Sequence, residues 1–232
     1  MRKAKYFLWK FFKLFGVEVL PDERKNSLQS YLLDLVERSD INYIIDVGSN
    51  KGQFYTLLRS IGFKGEVELF EPLIECKESI IRLIKKDKLV RFNGFALGDK
   101  EGRLDFHVTR NNVSSSLLMP VDTSKVARSY QVDLRTLDSL DLNLTAYSKV
   151  LLKIDAQGYE RNVIMGALRS LTFIDYILLE LSMSAQYVGE VEMIPMFEYM
   201  KNQGYSPIFI YPGVTNKSNE VIQYEVIFKR DI

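Results

Sequence analysis

The chain has 232 residues, of which 47% are hydrophobic and 26% are charged. These proportions are typical of a globular protein with a sizeable core, and they exclude disorder over most of the chain. Thirty-one basic and thirty acidic residues give a formal net charge of +1. No overall positive field therefore attracts nucleic acid, and we expect no nucleic-acid partner. The single cysteine, Cys76, excludes an internal disulfide.

Residues 1–15 contain five cations, six aromatic residues and no acid. At helical spacing, one face would carry Phe7, Leu8, Phe11, Phe12 and Phe15. The uncharged runs are too short for a membrane span or a signal peptide. Two interpretations are open: the segment lies on an anionic membrane surface, or it docks on protein through its aromatic face. We predict a helical extension over residues 1–39, a domain over residues 40–232, and a cytoplasmic protein, peripheral at the membrane under the first interpretation.

The predicted elements alternate along the chain. A helix is predicted first, with Leu28, Leu32, Leu35 and Val36 at helical spacing. Strands are predicted at 43–47, 66–70, 89–96, 103–108, 129–134, 149–154, 174–181, 205–211 and 221–228. Further helices are predicted at 51–61, 73–86, 160–171 and 193–203. The inner face is predicted to carry Ile80, Ile81 and Ile84 in the helix at 73–86, and Val163, Ile164, Ala167, Leu168 and Leu171 in the helix at 160–171. This α/β order predicts a doubly wound, mostly parallel sheet, with one antiparallel strand from a hairpin at the end. Ligands of such sheets bind beyond the carboxyl ends of the strands.

The first strand ends in a glycine-containing turn with Asp46, Gly48, Asn50 and Gly52. Glycines there let the backbone approach a ligand, and the next helix offers free N–H groups. The turn is not a dinucleotide fingerprint, because Asn50 stands where that pattern has glycine. The Asp46 carboxylate suits a cationic sulfonium ligand with an amino group better than a pyrophosphate. A tight turn that caps a helix would have the same composition.

The next two strands end in acidic residues. Glu71 follows the second strand, where a carboxylate can accept hydrogen bonds from two ribose hydroxyls, and Pro72 suits the start of the next helix. Asp99 follows Ala96 and Leu97 after the third strand. It can accept a hydrogen bond from an adenine amino group, although aspartate after glycine also stabilises ordinary turns.

Three more acids are the candidates for catalysis. Asp155 at the fourth strand's end and Glu160 at the following helix's start are both predicted to face the cleft. Glu160 also suits a helix N-terminus electrostatically. Glu180 lies inside an apolar strand, where a carboxylate is costly unless it is functional or paired, with Lys153 as the predicted partner. His107 is the only histidine, so a histidine-cluster metal site is excluded and no metal ligands are predicted.

Together these motifs resemble the FkbM family of S-adenosylmethionine-dependent methyltransferases over roughly residues 40–185. The matching segments, in order, are DVGSNKG (46–52), FEP (70–72), ALGD (96–99), SSL (115–117), TLD (136–138), KIDAQGYE (153–160) and LE (179–180). The resemblance implies the class I methyltransferase fold, Rossmann-like with a seven-stranded sheet. It also implies S-adenosyl-L-methionine as cofactor and O-methylation, often of sugar or natural-product hydroxyls. Gln157 departs from the family, because many members have glutamate there.

The predicted roles follow the strand ends. Gly48 and Gly52 would admit the methionine portion, Asp46 its ammonium, Glu71 the ribose and Asp99 the adenine. The remaining predicted cofactor contacts are Asn50, Pro72, Ala96, Leu97, Ser116 and Asp155. Positioning should supply most of the acceleration, and a base about 10²–10⁴-fold more. Asp155 is the first candidate base, Glu160 the second, and Glu180 the remaining catalytic candidate.

Two other functions fit parts of the pattern. A nicotinamide-dependent Rossmann enzyme would keep Glu71 but would need a third fingerprint glycine. A non-catalytic, membrane-associated interaction module would use the N-terminal helix, although the acidic strand ends argue against a decayed site. We expect a small-molecule or glycan acceptor, whereas assistance by a divalent metal and the oligomeric state are left open.

Overall fold

The computed structural model describes residues 27–231, which form five α-helices and ten β-strands. The basic aromatic segment, residues 1–15, lies outside the described residues. The helices are α1 (Leu28–Arg38), α2 (Gln53–Ser60), α3 (Ile74–Ile84), α4 (Glu160–Met165) and α5 (Met193–Asn202). The strands are β1 (Tyr43–Val47), β2 (Glu66–Phe70), β3 (Val90–Asn93), β4 (Ala96–Leu97), β5 (Gly102–Thr109), β6 (Val126–Arg135), β7 (Val150–Ile154), β8 (Tyr176–Ser182), β9 (Tyr205–Pro212) and β10 (Gln223–Arg230). Among residues 27–231, no helix is both long and apolar enough to span a bilayer.

The main sheet has seven strands in the order β3-β2-β1-β7-β8-β10-β9. β10 runs antiparallel to both of its neighbours, and the other pairings are parallel. The predicted mostly parallel seven-stranded sheet with one antiparallel strand is therefore confirmed. The strand order reverses between β1 and β7, so the chain leaves these two strands in opposite directions. Such a reversal opens a crevice at the carboxyl ends of the two strands.

A second sheet of three strands, in the order β4-β6-β5, fills the region where the sequence pattern loosens. The predicted third strand, residues 89–96, is wrong at its end, because β3 stops at Asn93. After an exposed Gly94, Ala96 and Leu97 leave the main sheet and pair with Leu134 and Arg135 of β6. This change of sheet places buried Ala96 and Leu97 beside the crevice.

The core is centred on β1 and β7, in which every residue is buried. Helix α1 belongs to the same core, since Leu32 and Leu35 are buried and the Tyr31 ring stacks on Phe209 with centroids 3.9 Å apart. This part of the predicted extension, residues 1–39, is therefore packed as part of the same fold as the sheet.

Two predicted helical faces differ in detail. The helix predicted over residues 160–171 ends at Met165, and Leu168 is 48% exposed rather than inward-facing. The chain turns at Gly166, where a Cβ atom would overlap the carbonyl oxygen of Gly98. On α3, Ile80 is buried as predicted, but its neighbour Ile81 is exposed, because only one side of that helix faces the sheet.

Candidate active site

A cavity of about 340 Å³ lies at the carboxyl ends of β1, β2 and β7, within the size range of small-molecule sites. Segments from β4, β10, helix α1 and the loop at residues 112–117 complete its wall. Seven of the predicted site residues line it: Gly48, Asn50, Glu71, Pro72, Ala96, Leu97 and Asp155. The wall also contains several large apolar side chains: Leu28, Phe54, Leu57, Phe70, Phe95, Phe106 and Leu117.

The two glycines after β1 are required mainly by the backbone conformation and by close packing within the protein. Gly48 has a φ of +76°, and a Cβ atom there would overlap the carbonyl oxygen of Asp155. Glycine is therefore required for β1 and β7 to approach each other at their ends. Gly52 has a φ of +80° and lies outside the cavity lining, and its Cβ atom would come within 2.6 Å of Leu83 Cδ2. Only Gly48 borders the cavity.

Ser49, between these glycines, is a candidate ligand contact that sequence analysis missed. Its side chain is 97% buried and lines the cavity, and its hydroxyl has no hydrogen-bond partner among the described residues. Burying an unsatisfied hydroxyl is unfavourable, so an orphaned one in a cavity wall indicates a polar group of a ligand. A serine inside the glycine-containing turn was the one feature of the sequence that could have identified this contact.

Glu71 joins the first two strand ends. Its Oε2 accepts a hydrogen bond from the Asn50 N–H at 2.7 Å, and its Oε1 accepts one from the Leu73 N–H at 2.8 Å. Burial raises the pKa of Glu71 to about 7, although these hydrogen bonds oppose the shift. Each carboxylate oxygen can accept a further hydrogen bond, so Glu71 can fix the turn and still bind ligand hydroxyls in the cavity.

Asp46 is fully buried and does not line the cavity. Its carboxylate lies 3.2 Å from Lys153 Nζ, and burial raises the pKa of Asp46 against the opposing effect of that lysine. Lys153 also lies 3.3 Å from Asp155 Oδ2 and borders the cavity above the Phe54 ring. Burial alone would lower the pKa of Lys153, but the neighbouring carboxylates outweigh burial and raise it. The ion pairs of Lys153 are thus with Asp46 and Asp155, not with Glu180 as predicted.

Asp155 faces the cavity at the end of β7, in a network centred on Gln157. The Gln157 amide nitrogen donates to Asp155 Oδ1 and Glu180 Oε2, both at 2.8 Å. Tyr187 donates its hydroxyl hydrogen to Gln157 Oε1 at 2.7 Å. Burial and the charge of Asp155 raise the pKa of Glu180 to about 8. Asp155 and Gln157 form the cavity wall here. Glu180 does not line the cavity but is hydrogen-bonded to Gln157.

Three predicted site residues are outside the cavity lining and contact protein instead. Glu160, expected to face the cleft, is buried, and its Oε1 accepts hydrogen bonds from the N–H groups of Ala156 at 2.9 Å and Gly158 at 3.2 Å. Asp99 accepts a hydrogen bond from the Tyr159 hydroxyl at 3.1 Å. The Ser116 hydroxyl donates to the Gln157 carbonyl oxygen at 2.7 Å.

Comparison with known proteins places the chain in a family. The FkbM methyltransferase domain matches residues 46–207, well over half of the chain. This chain belongs to the FkbM methyltransferase family. A 2-O-methyltransferase, NoeI from Sinorhizobium fredii, is 27% identical over 193 residues, which cover 72% of this chain and 76% of NoeI.

Solved structures show the same fold at low sequence identity. A Listeria monocytogenes protein assigned as an S-adenosylmethionine dependent methyltransferase has a TM-score of 0.51 and 7% identity, with 88% of this chain and 98% of that one covered. The CMeT domain of citrinin polyketide synthase also has a TM-score of 0.51, with 14% identity. That match covers 88% of this chain but 51% of the synthase chain, so this protein spans about half of it. This chain therefore has the class I methyltransferase fold.

Within this FkbM methyltransferase, two further residues at the site, one in the cavity wall and one behind it, had weak sequence signals or none. Glu225 lines the cavity from β10, and burial raises its pKa to about 7. An acid within the apolar final strand was its only indication. Tyr187 lies beyond the recognised motifs, and only the tertiary structure places it against Gln157. Among residues 27–231, no group of three or more His, Cys, Asp and Glu residues is arranged to hold a metal ion.

Proposed function

We propose that this methyltransferase transfers a methyl group from S-adenosyl-L-methionine to a hydroxyl of a small-molecule or glycan acceptor, with a sugar hydroxyl as the leading candidate. The observation that carries the proposal is one cavity bordered by the orphaned Ser49 hydroxyl, Glu71 and Asp155. The relative NoeI is named a 2-O-methyltransferase, which supports oxygen as the methylated atom.

The residues present fit this cofactor. The Ser49 hydroxyl would form a hydrogen bond with the amino-acid portion of the cofactor, and Glu71 would accept hydrogen bonds from the ribose hydroxyls. Ala96 and Leu97, with the rings of Phe70 and Phe95, form an apolar wall suited to a flat base. When bound, the cofactor supplies a methyl group that is electrophilic because it is attached to a cationic sulfur.

In this proposal Asp155 is the group that handles the acceptor's proton. A carboxylate oxygen of Asp155 would take the proton of the acceptor hydroxyl as that oxygen accepts the methyl group, which the cofactor would supply. Lys153 and Gln157 hold the Asp155 carboxylate from two sides, at 3.3 Å and 2.8 Å. A fixed base of this kind contributes about 10²–10⁴-fold to a rate. Glu160, buried behind the wall, would support the turn at residues 156–158 and not touch the acceptor.

Calorimetric titration of the protein with S-adenosylmethionine, and with its demethylated product, tests the cofactor assignment. We expect saturable binding that Ser49→Ala weakens about 3- to 10-fold, the value of one hydrogen bond in a buried site. Ser60→Ala is the matched control, because its hydroxyl bonds only the Leu57 carbonyl oxygen at the exposed end of α2. Absence of binding, or stronger binding of NAD in competition, would refute the proposal and favour the nicotinamide alternative.

Turnover of Asp155→Asn tests the proposed base. Asparagine keeps the size of the side chain but cannot accept the proton, so we expect the rate of methyl transfer to fall by about 10²–10⁴-fold. Cofactor affinity, measured by the same titration, should change little. An unchanged rate would remove Asp155 from the mechanism.

A further inference from the structure

Gln157 has a backbone conformation that glutamine rarely adopts. Its φ is +53°, in the left-handed region, which costs a residue with a side chain roughly 1–2 kcal/mol. Such a conformation persists only where surrounding contacts enforce it, and it is concentrated at functional sites. Here the Ser116 hydroxyl binds the Gln157 carbonyl oxygen at 2.7 Å, and Gly158 follows with a φ of +94°.

Contacts on both of its atoms fix the Gln157 side-chain amide in one orientation. The nitrogen has two hydrogens, one for Asp155 Oδ1 and one for Glu180 Oε2, each at 2.8 Å. The oxygen accepts from the Tyr187 hydroxyl at 2.7 Å, which is closer than that hydroxyl's other acceptor, the Ser114 carbonyl oxygen at 3.0 Å. Burial and the neighbouring carboxylates raise the pKa of Tyr187, so its hydroxyl keeps its hydrogen. Rotating the amide by half a turn would turn its oxygen towards Asp155 Oδ1 and Glu180 Oε2 and would lose both bonds that its nitrogen donates.

The two carboxyl groups come from different strands and repel each other when both are ionised. Burial and this repulsion raise the pKa of Glu180. Asp155 follows β7, and Glu180 lies within β8. A Gln223 amide supplies a further, longer bond to Glu180 Oε2 at 3.2 Å, but it makes no bond to Asp155. Gln157 alone among the described residues therefore donates to both groups. A divalent cation that joined two carboxylates would need the same position, since it binds their oxygens directly.

We propose that Gln157 is a positioning residue whose amide joins Asp155 and Glu180 in the place of a bridging divalent cation, so that methyl transfer proceeds without one. The catalytic part of this inference rests on the proposed function, whereas the bridging part does not. The amide holds Asp155 towards the acceptor while Tyr187 and Ser116 hold the amide. Replacing Gln157 with a carboxylate removes both donors and leaves three acidic groups around one position, which then suits a cation.

Terbium binding to the full chain tests the bridge independently of activity. Tyrosine excitation sensitises bound Tb³⁺, and the Tyr187 ring lies beside this position. We expect saturable sensitised luminescence for Gln157→Glu that exceeds both the wild type and Gln223→Glu. The Gln223→Glu control adds the same charge beside Glu180, at a residue that has no hydrogen bond to Asp155. Luminescence of a folded Gln157→Glu protein equal to that of Gln223→Glu would overturn the bridging role.

Initial rates with and without EDTA test the consequence for catalysis. Wild-type rates should be unchanged by EDTA or by added Mg²⁺. The Gln157→Glu rate should fall about 10²-fold in EDTA, as expected for a misplaced base, and recover at least about 10-fold with Mg²⁺. Gln157→Met should lose a similar factor in kcat, with KM for S-adenosylmethionine unchanged and no recovery with Mg²⁺.

Metal dependence of the wild type and folding of the variants separate the bridge from the proposed function. A wild-type rate abolished by EDTA and restored by Mg²⁺ would overturn cation independence. If Gln157→Glu fails to fold, as judged by its melting curve, Gln157→Met decides, and an unchanged kcat in that variant would refute the positioning role. If no methyl transfer is found with any acceptor but Gln157→Glu still binds Tb³⁺, the proposed function fails while the bridge stands.

Discussion

Glu160 illustrates how a buried carboxyl can imitate a catalytic one in sequence. It follows Asp155 by five positions at a helix start, which predicts a place in the cleft. In the structure its side chain folds back over the turn that precedes α4 and accepts hydrogen bonds from the N–H groups of Ala156 and Gly158. Burial raises its pKa to about 8, although the hydrogen bonds oppose the shift. A raised pKa alone therefore does not identify a base, and access to the cavity distinguishes Asp155 from Glu160.

The role of Glu160 can be tested by comparing two substitutions. Glu160→Ala leaves two buried N–H groups without an acceptor and should lower the free energy of unfolding by about 1–3 kcal/mol. Glu160→Gln keeps a carbonyl oxygen for the same bonds and should be destabilised much less. Urea denaturation at pH 7 measures both, with methyl-transfer rates as the companion measurement. A fall of about 10²-fold in the rate of stable Glu160→Gln would instead support the catalytic role predicted from sequence.

At the scale of elements, the turn from β1 to α2 depends on contacts with β7 and α3. Gly48 and Gly52, in the predicted glycine-containing turn, both have positive φ values. Their surroundings differ, because Gly48 faces the Asp155 backbone and Gly52 faces the flexible end of the Leu83 side chain. The sequence indicates that a turn forms here, but the cost of altering each glycine depends on a segment roughly 30 to 110 residues away.

Alanine substitutions at three glycines distinguish the stability lost to a left-handed backbone conformation from the stability lost to steric overlap. Gly62→Ala is the control, with a φ of +92° and nothing within 4 Å of the added Cβ atom. It should cost only the left-handed backbone, roughly 1–2 kcal/mol. Gly52→Ala should cost slightly more, because Leu83 can move aside. Gly48→Ala must separate two backbones and should cost the most, by at least about 2 kcal/mol beyond the control. Urea midpoints that are equal for all three would contradict this order.

At the scale of the whole molecule, buried carboxyl groups make stability depend on pH. Burial raises the pKa values of Glu71 and Glu225 to about 7, and those of Glu160 and Glu180 to about 8, from 4.5. A group with a raised pKa stabilises the fold fully below its unfolded value, and this contribution is lost as pH rises through the folded value. Each such group therefore favours folding at pH 5 and loses that effect by about pH 8.

We expect the free energy of unfolding to fall by at least about 2 kcal/mol between pH 5 and pH 9. Asp87 and Asp175 act in the opposite direction at low pH, because hydrogen bonds from Arg59 and Lys149 outweigh burial and lower their pKa values. Their contribution is lost as pH falls below about 4, so the maximum should lie near pH 5. Urea denaturation across this range measures the profile, and Glu160→Gln should flatten its alkaline side. Stability that rises between pH 5 and pH 9 would contradict the assignment.

The sequence by itself determined the α/β alternation, the antiparallel final strand and the acidic strand ends, because hydrophobic periodicity and turn residues are local properties. It also brought Asp155 and Glu71 to one cavity, since the carboxyl ends of neighbouring parallel strands must meet at one edge. Only the tertiary structure decided which carboxyls face the cavity. Asp46 pairs with buried Lys153, and Glu160 accepts hydrogen bonds from backbone N–H groups. Tyr187 is hydrogen-bonded to Gln157, which lies 30 positions earlier in the chain. Side-chain direction at a strand end depends on what packs behind it, and that contact is made by residues distant in the chain.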